Sequence, residues 1–193
     1  MLIYLHGFRS GPQSHKSQSL RARMTEQGLA DAFWGEQLAL IPRDAIAQVS
    51  RVIEASTVAP TLVGSSLGGH YATALAERFD LKAVLVNPSV ISHVTLEPFL
   101  GRQTMLYTGD EFEVHREHLD QMRELDVDRL ADPARYWLMV EKGDELLDYR
   151  LAVQRYTGAR QTVLEGGDHS FTRWDDYLDD ILRFAGLLPE ARP

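Results

Sequence analysis

Ser66 stands at the centre of Gly64-Ser65-Ser66-Leu67-Gly68, a G-x-S-x-G string. A nucleophilic serine has to stand clear of its own backbone. A sharp strand-to-helix turn achieves this only if flanking positions lack side chains that would collide. The apolar run Thr61-Leu62-Val63 before the string and a helical stripe after it supply that context. Such a turn also aims the free N–H groups of a helix start at whatever the serine attacks. A serine nucleophile needs a base, and a base needs a partner that fixes its tautomer. His169, in Glu165-Gly166-Gly167-Asp168-His169-Ser170-Phe171, follows the last apolar run of the chain. Asp144, in Leu138-Met139-Val140-Glu141-Lys142-Gly143-Asp144, closes the run before it. Each has an ordinary reading: a glycine-rich turn with a capping serine, a surface histidine, a turn aspartate after glycine. Their order and their places at strand ends favour the chemical reading, with Ser66, Asp144 and His169 as catalytic residues.

Tyr4-Leu5-His6-Gly7-Phe8 is a strand running into a His-Gly turn. It delivers a backbone N–H at Phe8 that, with the N–H of Leu67, is expected to form an oxyanion hole. His6 itself reads as a structural residue holding that loop. Asp110, Asp148 and Asp168 compete with Asp144 for the acid. Asp168 adjoins His169, and neighbouring side chains diverge. Asp110 sits in a similar Gly-Asp-Glu string but lies inside the long Ser89–Arg135 segment. Asp148 falls at a helix start, where capping is its expected role.

The elements that must position these residues are legible as short apolar runs alternating with amphipathic stripes. The runs are Met1–Leu5, Phe33–Leu38, Thr61–Gly64, Lys82–Val86, Tyr136–Val140 and Gln161–Leu164. Most are continuous, as in strands buried on both faces. Between them lie helical stripes: Leu20 and Met24 between a Ser14 cap and a Gly28 stop, Ile46 to Ile53 after Pro42, Ala72 to Phe79, and Tyr177 to Ala185. The alternation predicts an α/β fold with a mostly parallel sheet of about six strands and helices on both faces. Residues 89–135 are too long for a plain connection and read as an insertion, or cap, over the C-terminal edge of the sheet within a single domain spanning 1–193. A strand at Gln103–Tyr107 and a helix around Glu117–Leu130 are expected there. Its apolar residues Val90, Ile91, Val94, Leu96, Phe99 and Leu100 either line a pocket or form that insertion's own core.

The composition narrows the chemistry. The 193 residues suffice for one domain with a substantial core, and 44% hydrophobic with 25% charged residues is a globular balance. With no cysteine, disulfide frameworks, thiolate metal sites and cysteine nucleophiles are excluded. Lys and Arg total 20 against 28 Asp and Glu, a net charge of −8, which argues against a nucleic-acid binder. There is no positively charged leader with an apolar stretch and no membrane-length apolar run, so the expected setting is cytoplasmic with no membrane span. His115 and His118 lie three apart, a metal-compatible spacing, but no third ligand is specified and a solvated helix face is the better reading. No metal and no cofactor is expected. His15-Lys16 reads as the first turn of a helix, with contact to an anionic substrate as the alternative. Asp175, Asp176, Asp179 and Asp180 read as a solvated helix face.

The order Ser66, Asp144, His169 is the nucleophile–acid–base order of the α/β-hydrolase superfamily. The sequence resembles the YqiA/YcfP-type small esterases of that superfamily. The resemblance rests on Tyr4–Phe8 with Ser14-His15-Lys16, Gly64–Gly69, Val86-Asn87-Pro88, Tyr107-Thr108-Gly109, Gly143–Tyr149 and Gly166–His169, in order along nearly the whole chain. It implies a reduced hydrolase sheet lacking the first strands of larger relatives. It also implies small-molecule acyl esters as substrates, with acyl-CoA thioesters as a further class, and an acid at Asp144. The alternatives are a non-catalytic binding protein on the same fold and the same triad acting on an amide or carbon–carbon bond.

Overall fold

A computed structural model describes residues 1–189. Its centre is a six-stranded, wholly parallel sheet in the order β2-β1-β3-β4-β7-β8. The strands are β1 (Leu2–Leu5), β2 (Phe33–Trp34), β3 (Thr61–Ser65), β4 (Lys82–Val86), β7 (Tyr136–Glu141) and β8 (Arg160–Leu164). A separate antiparallel hairpin pairs β5 (Gly101–Thr104) with β6 (Glu111–Val114). The helices are α1 (His15–Glu26), α2 (Pro42–Ala55), α3 (Leu67–Phe79), α4 (Ser92–Thr95), α5 (Arg116–Glu124), α6 (Tyr149–Arg155) and α7 (Leu178–Phe184).

The continuous apolar strands split by residue parity, because successive side chains leave a strand on opposite faces. Leu2 and Tyr4 join Val63, Val84, Trp137 and Met139 in a core with residues of α1 and α7. Ile3 and Leu5 join Leu62, Leu85, Leu138 and Val140 in a core with α2, α3, α5 and α6. Helix α2 begins on Pro42, whose missing N–H costs nothing at a first turn, and buries Ile46, Val49 and Ile53. Helix α1 stops at Gly28, with φ of 70°, where Leu29 N–H closes back on the Met24 carbonyl at 2.8 Å.

Three expected boundaries differ. The strand expected over Phe33–Leu38 is only Phe33–Trp34, because the chain turns away so that Leu38 N–H donates to the His6 ring. The strand expected at Gln103–Tyr107 ends at Thr104; Met105 to Gly109 form the hairpin turn, closed by Gly109 N–H on the Met105 carbonyl. The helix expected to reach Leu130 ends at Glu124, where Leu125 and Asp126 N–H groups bond three residues back. The stripe from Tyr177 contains α7, preceded by a 3-10 turn over Trp174–Tyr177.

The chain runs from β1 outward to β2, then returns to place β3 on the other side of β1. Crevices at such a reversal, beyond the carboxyl ends of the strands, are where open parallel sheets hold their sites. The loops after β1 and β3 meet there, and those after β7 and β8 adjoin on the same edge. No helix among the described residues is long and apolar enough to cross a membrane.

Candidate active site

Ser66 connects β3 directly to α3 in a backbone conformation of φ 55° and ψ −120°, a region that side chains disfavour. Hydrogen bonds hold it there. Its N–H donates to the Val86 carbonyl at 3.0 Å, and its own carbonyl accepts from Gly69 N–H at 2.9 Å and Ser89 N–H at 3.1 Å. The glycines let α3 lie against the sheet. A Cβ on Gly64 would sit 2.3 Å from the Gly68 carbonyl oxygen, and one on Gly68 would sit 2.0 Å from that of Leu5. No side chain fits at either position.

The Ser66 hydroxyl lies 3.0 Å from His169 Nε2. His169 Nδ1 faces both oxygens of Asp144, at 3.0 and 2.9 Å. The Asp144 carboxylate also accepts from the N–H groups of Leu146 and Leu147, both at 2.9 Å, so its orientation does not depend on the histidine alone. The Asp144 side chain is 2% exposed and that of His169 19% exposed. Since a carboxylate accepts, Nδ1 carries the proton and Nε2 is left as the acceptor for the serine. The loops bearing these two residues are zipped together: Gly143 N–H donates to the Gly166 carbonyl at 2.9 Å, and Lys142 N–H to that of Leu164.

The loop after β1 is built around His6. Leu38 N–H and the Gln37 amide reach His6 Nε2 at 3.0 and 3.1 Å, so Nε2 accepts and Nδ1–H donates to the Gly7 carbonyl at 2.9 Å. Burial lowers the ring's tendency to protonate, in keeping with this neutral tautomer. Gly7 lies against the serine, where an added Cβ would be 3.2 Å from Ser66 Cβ. Among the described residues, neither Phe8 N–H nor Leu67 N–H has a backbone acceptor. The Phe8 ring packs edge-on to Phe99 and Phe112, with centroids 5.4 and 5.9 Å away. Arg9, at φ of 59°, accepts Leu106 N–H on its carbonyl and donates its guanidinium to the Thr104 carbonyl, each at 2.8 Å. Segment 89–135 is thereby tied to the loop.

Of the rival acids, Asp168 accepts from Ser170 N–H, and Asp148 caps α6 through Arg150 N–H. Asp110 is exposed in the hairpin turn. His115 and His118 form a local helix-start contact, with His115 N–H reaching His118 Nδ1 at 3.3 Å. The acidic cluster expected to be solvated is partly spent on ion pairs, Asp179 with Arg23 at 2.7 Å and Asp180 with Arg183, while Asp175 lies 3.0 Å from His15 Nε2. Arg23 reaches Asp179 because α7 lies on α1, whereas Arg183 stands three residues from Asp180 on α7 itself.

Two residues that organise the site went unassigned in the sequence. Asn87, just beyond β4, accepts Glu141 N–H on its amide oxygen and donates to the carbonyls of Asp168 and His169. Glu141, the last residue of β7, is wholly buried and accepts from the N–H groups of Asp168 and Thr172, the Thr172 hydroxyl and the Arg173 guanidinium. Burial pushes its carboxyl up, but these hydrogen bonds outweigh it and hold the group below its ordinary range. A carboxylate ending an apolar run, and an asparagine before proline at a strand end, were the available signals.

Two cavities meet at Ser66. One, of about 280 Å³, is mostly apolar, lined by Phe8, Leu96, Phe99, Leu106, Leu146 and Leu147 among others. Of the six candidate pocket residues of segment 89–135, Leu96 and Phe99 line it; Val90 and Leu100 pack on the core, Ile91 is half-buried and Val94 is exposed. The other, of about 290 Å³, is the more polar of the two, with Tyr4, Ser10, Ser14, Lys16 and Ser170 beside Phe8, Leu106 and Phe171 in its wall.

The model of the family described as "Uncharacterised protein family (UPF0227)" matches residues 1–186. The chain belongs to that family. UPF0227 is thus represented here by a parallel-sheet fold with solved counterparts. A putative hydrolase from Agrobacterium vitis S4 is 18% identical with a TM-score of 0.74, covering 95% of this chain and 87% of its own. Alpha/beta hydrolase domain-containing protein 10 from mouse is 14% identical with a TM-score of 0.70, at 94% and 89% coverage. The esterase domain of a Rhodothermus marinus protein is 19% identical with a TM-score of 0.66, at 95% and 85% coverage. At these identities the likeness establishes the fold, that of the α/β hydrolases.

Proposed function

We propose that this protein is a serine hydrolase of acyl esters, working through Ser66, His169 and Asp144. The observation that carries this is the continuous chain of contacts from Ser66 Oγ through both ring nitrogens of His169 to the buried Asp144 carboxylate. His169 Nε2 takes the proton as Ser66 Oγ attacks the ester carbonyl. Asp144 holds the imidazolium that forms. The N–H groups of Phe8 and Leu67 receive the oxyanion. His169 then gives its proton to the leaving oxygen, and water attacks the acyl-enzyme by the same route. The apolar cavity beside Ser66 suits an acyl chain, and a thioester presents the same carbonyl to the same groups. No step needs a metal or an organic cofactor.

The esterase and hydrolase names among the structural neighbours agree with this reading. Ser66→Ala should lower p-nitrophenyl butyrate turnover at least about a thousandfold. Turnover within a few fold of wild type would refute the assignment. An acyl-length panel of oxygen esters and CoA thioesters then ranks the substrate classes.

A further inference from the structure

The polar cavity is built differently from the apolar one, and its chemistry points to a particular kind of group. Its wall includes Ser14, His15 and Lys16, the start of the twelve-residue helix α1. The N–H groups of a first helical turn have no partner within the helix, and the helix dipole makes that end positive. Ser14 is 7% exposed; its hydroxyl caps nothing and has the Tyr4 hydroxyl beside it. Two hydroxyls in contact use one proton between them and leave one for a further acceptor.

Lys16 supplies the charge. Its Nζ donates to the Ser170 carbonyl at 2.6 Å, and among the described residues it forms no ion pair. Burial lowers its pKa to about 8, against the pull of Asp168, Glu141 and Asp144. Those carboxylates are engaged elsewhere: Asp168 by Ser170 N–H, Glu141 by Arg173 and Thr172, Asp144 by His169 and two main-chain N–H groups. An ammonium has three protons, and one acceptor accounts for one of them.

We propose that this cavity is a subsite for a compact anionic group, a carboxylate or phosphate, carried on the leaving-group side of the ester. The inference rests on the serine-hydrolase reading of Ser66. The leaving-group side follows from the arrangement of the two cavities: the polar one is walled by Ser170, Phe171 and Thr172, the continuation of the loop that carries His169. The His169 ring lines both cavities, and the apolar one suits the acyl chain, which leaves the more polar one for the group beyond the leaving oxygen.

The test compares kcat/KM for para-butyryloxybenzoate with that for the neutral para-butyryloxybenzamide, in wild type, Lys16→Met, Lys16→Arg and Ser14→Ala. A mirrored pair, phenyl hemisuccinate and phenyl butyrate, places the charge on the acyl side. Wild type should favour the anionic leaving group by about tenfold, the scale of one charge-assisted hydrogen bond, expressed mainly in KM. That ratio should fall towards one in Lys16→Met, shrink in Ser14→Ala and return in Lys16→Arg. A lysine that only supports the Ser170 carbonyl would lower both esters together and leave the ratio unchanged. That outcome overturns the proposal, as does a preference confined to the acyl-side pair. If wild type hydrolyses neither neutral ester, the reading of Ser66 fails first, and separately.

Discussion

Asn87 donates its side-chain amide to the main-chain carbonyl of His169 at 3.1 Å, across 82 residues of sequence. The same amide donates to the Asp168 carbonyl at 3.0 Å, while its oxygen accepts Glu141 N–H at 3.0 Å. One short side chain thus pins the backbone of the candidate base to the ends of two central strands.

Asn87→Ala removes both donors, leaves the Glu141 N–H without its acceptor, and keeps a side chain at a φ of 39°. The expected cost is about 2 kcal/mol of stability, with kcat falling by roughly ten- to a hundredfold as the ring loses its position. Asn87→Asp keeps the acceptor but not the donors, and should restore stability less than it would if the Glu141 contact were all that mattered. Thermal unfolding and steady-state kinetics check both. A kcat within twofold of wild type in both variants would show that the loop is held without Asn87.

The backbone at Ser66 makes a prediction that activity does not report. Ser66→Ala and Ser66→Gly both lose the hydroxyl, so their difference isolates the strained conformation at φ 55°, ψ −120°. At an ordinary helix or strand position glycine is the less stable of the two. Here the glycine variant should be the more stable by about 1 kcal/mol. Urea titration of the pair gives the answer, and an alanine variant as stable as the glycine one would contradict it.

Glu141 sets a pH dependence of stability. Its folded pKa lies below the ordinary value of 4.5, so the unfolded chain takes up the proton first as pH falls. Its contribution is therefore complete above about that value and is lost as pH drops towards the folded pKa. Glu141→Gln should cost about 3 kcal/mol at neutral pH, since it unpairs Arg173 and turns a donor towards other donors. The gap to wild type should narrow as pH falls below 4.5. Denaturant midpoints from pH 7 to 2.5 measure it; a constant gap would mean that the carboxylate's charge is not what stabilises the loop.

Asp144→Asn should lower kcat by orders of magnitude with the fold intact, because an amide favours the wrong imidazole tautomer and leaves the imidazolium unpaired. Asp110→Asn and Asp148→Asn should each cost less than about tenfold. The two controls differ in kind, one in an exposed hairpin turn and the other capping α6. Sensitivity at Asp110 instead would place the acid in the segment after β4.

How much of this was legible in the sequence depended on whether local pattern or distant contact set the outcome. The buried strands stood out because both their faces are covered, which makes runs such as Lys82–Val86 and Tyr136–Val140 continuous. Ser66 was marked by its neighbours Gly64 and Gly68, where the absence of room for a Cβ forces glycine into the string. Phe33–Leu38 was misjudged because its apolar character does not show that Leu38 N–H is spent on His6, a contact 32 residues away. The helix after β6 was overextended because Leu130 is buried by tertiary packing and not by helical periodicity. Asn87 and Glu141 escaped assignment for the same reason: each acts through backbone groups of a loop far along the chain, and no spacing rule links them to it.

The most direct test of the central claim is fluorophosphonate labelling of the native protein, read by intact mass and peptide mapping. The account predicts one adduct, on the Ser66 hydroxyl, absent after heat denaturation and in Ser66→Ala, and formed at least about a hundredfold more slowly in His169→Ala. Folded protein that takes no label, or takes it on Ser65 or another serine, would contradict the claim that Ser66 is a nucleophile activated by His169.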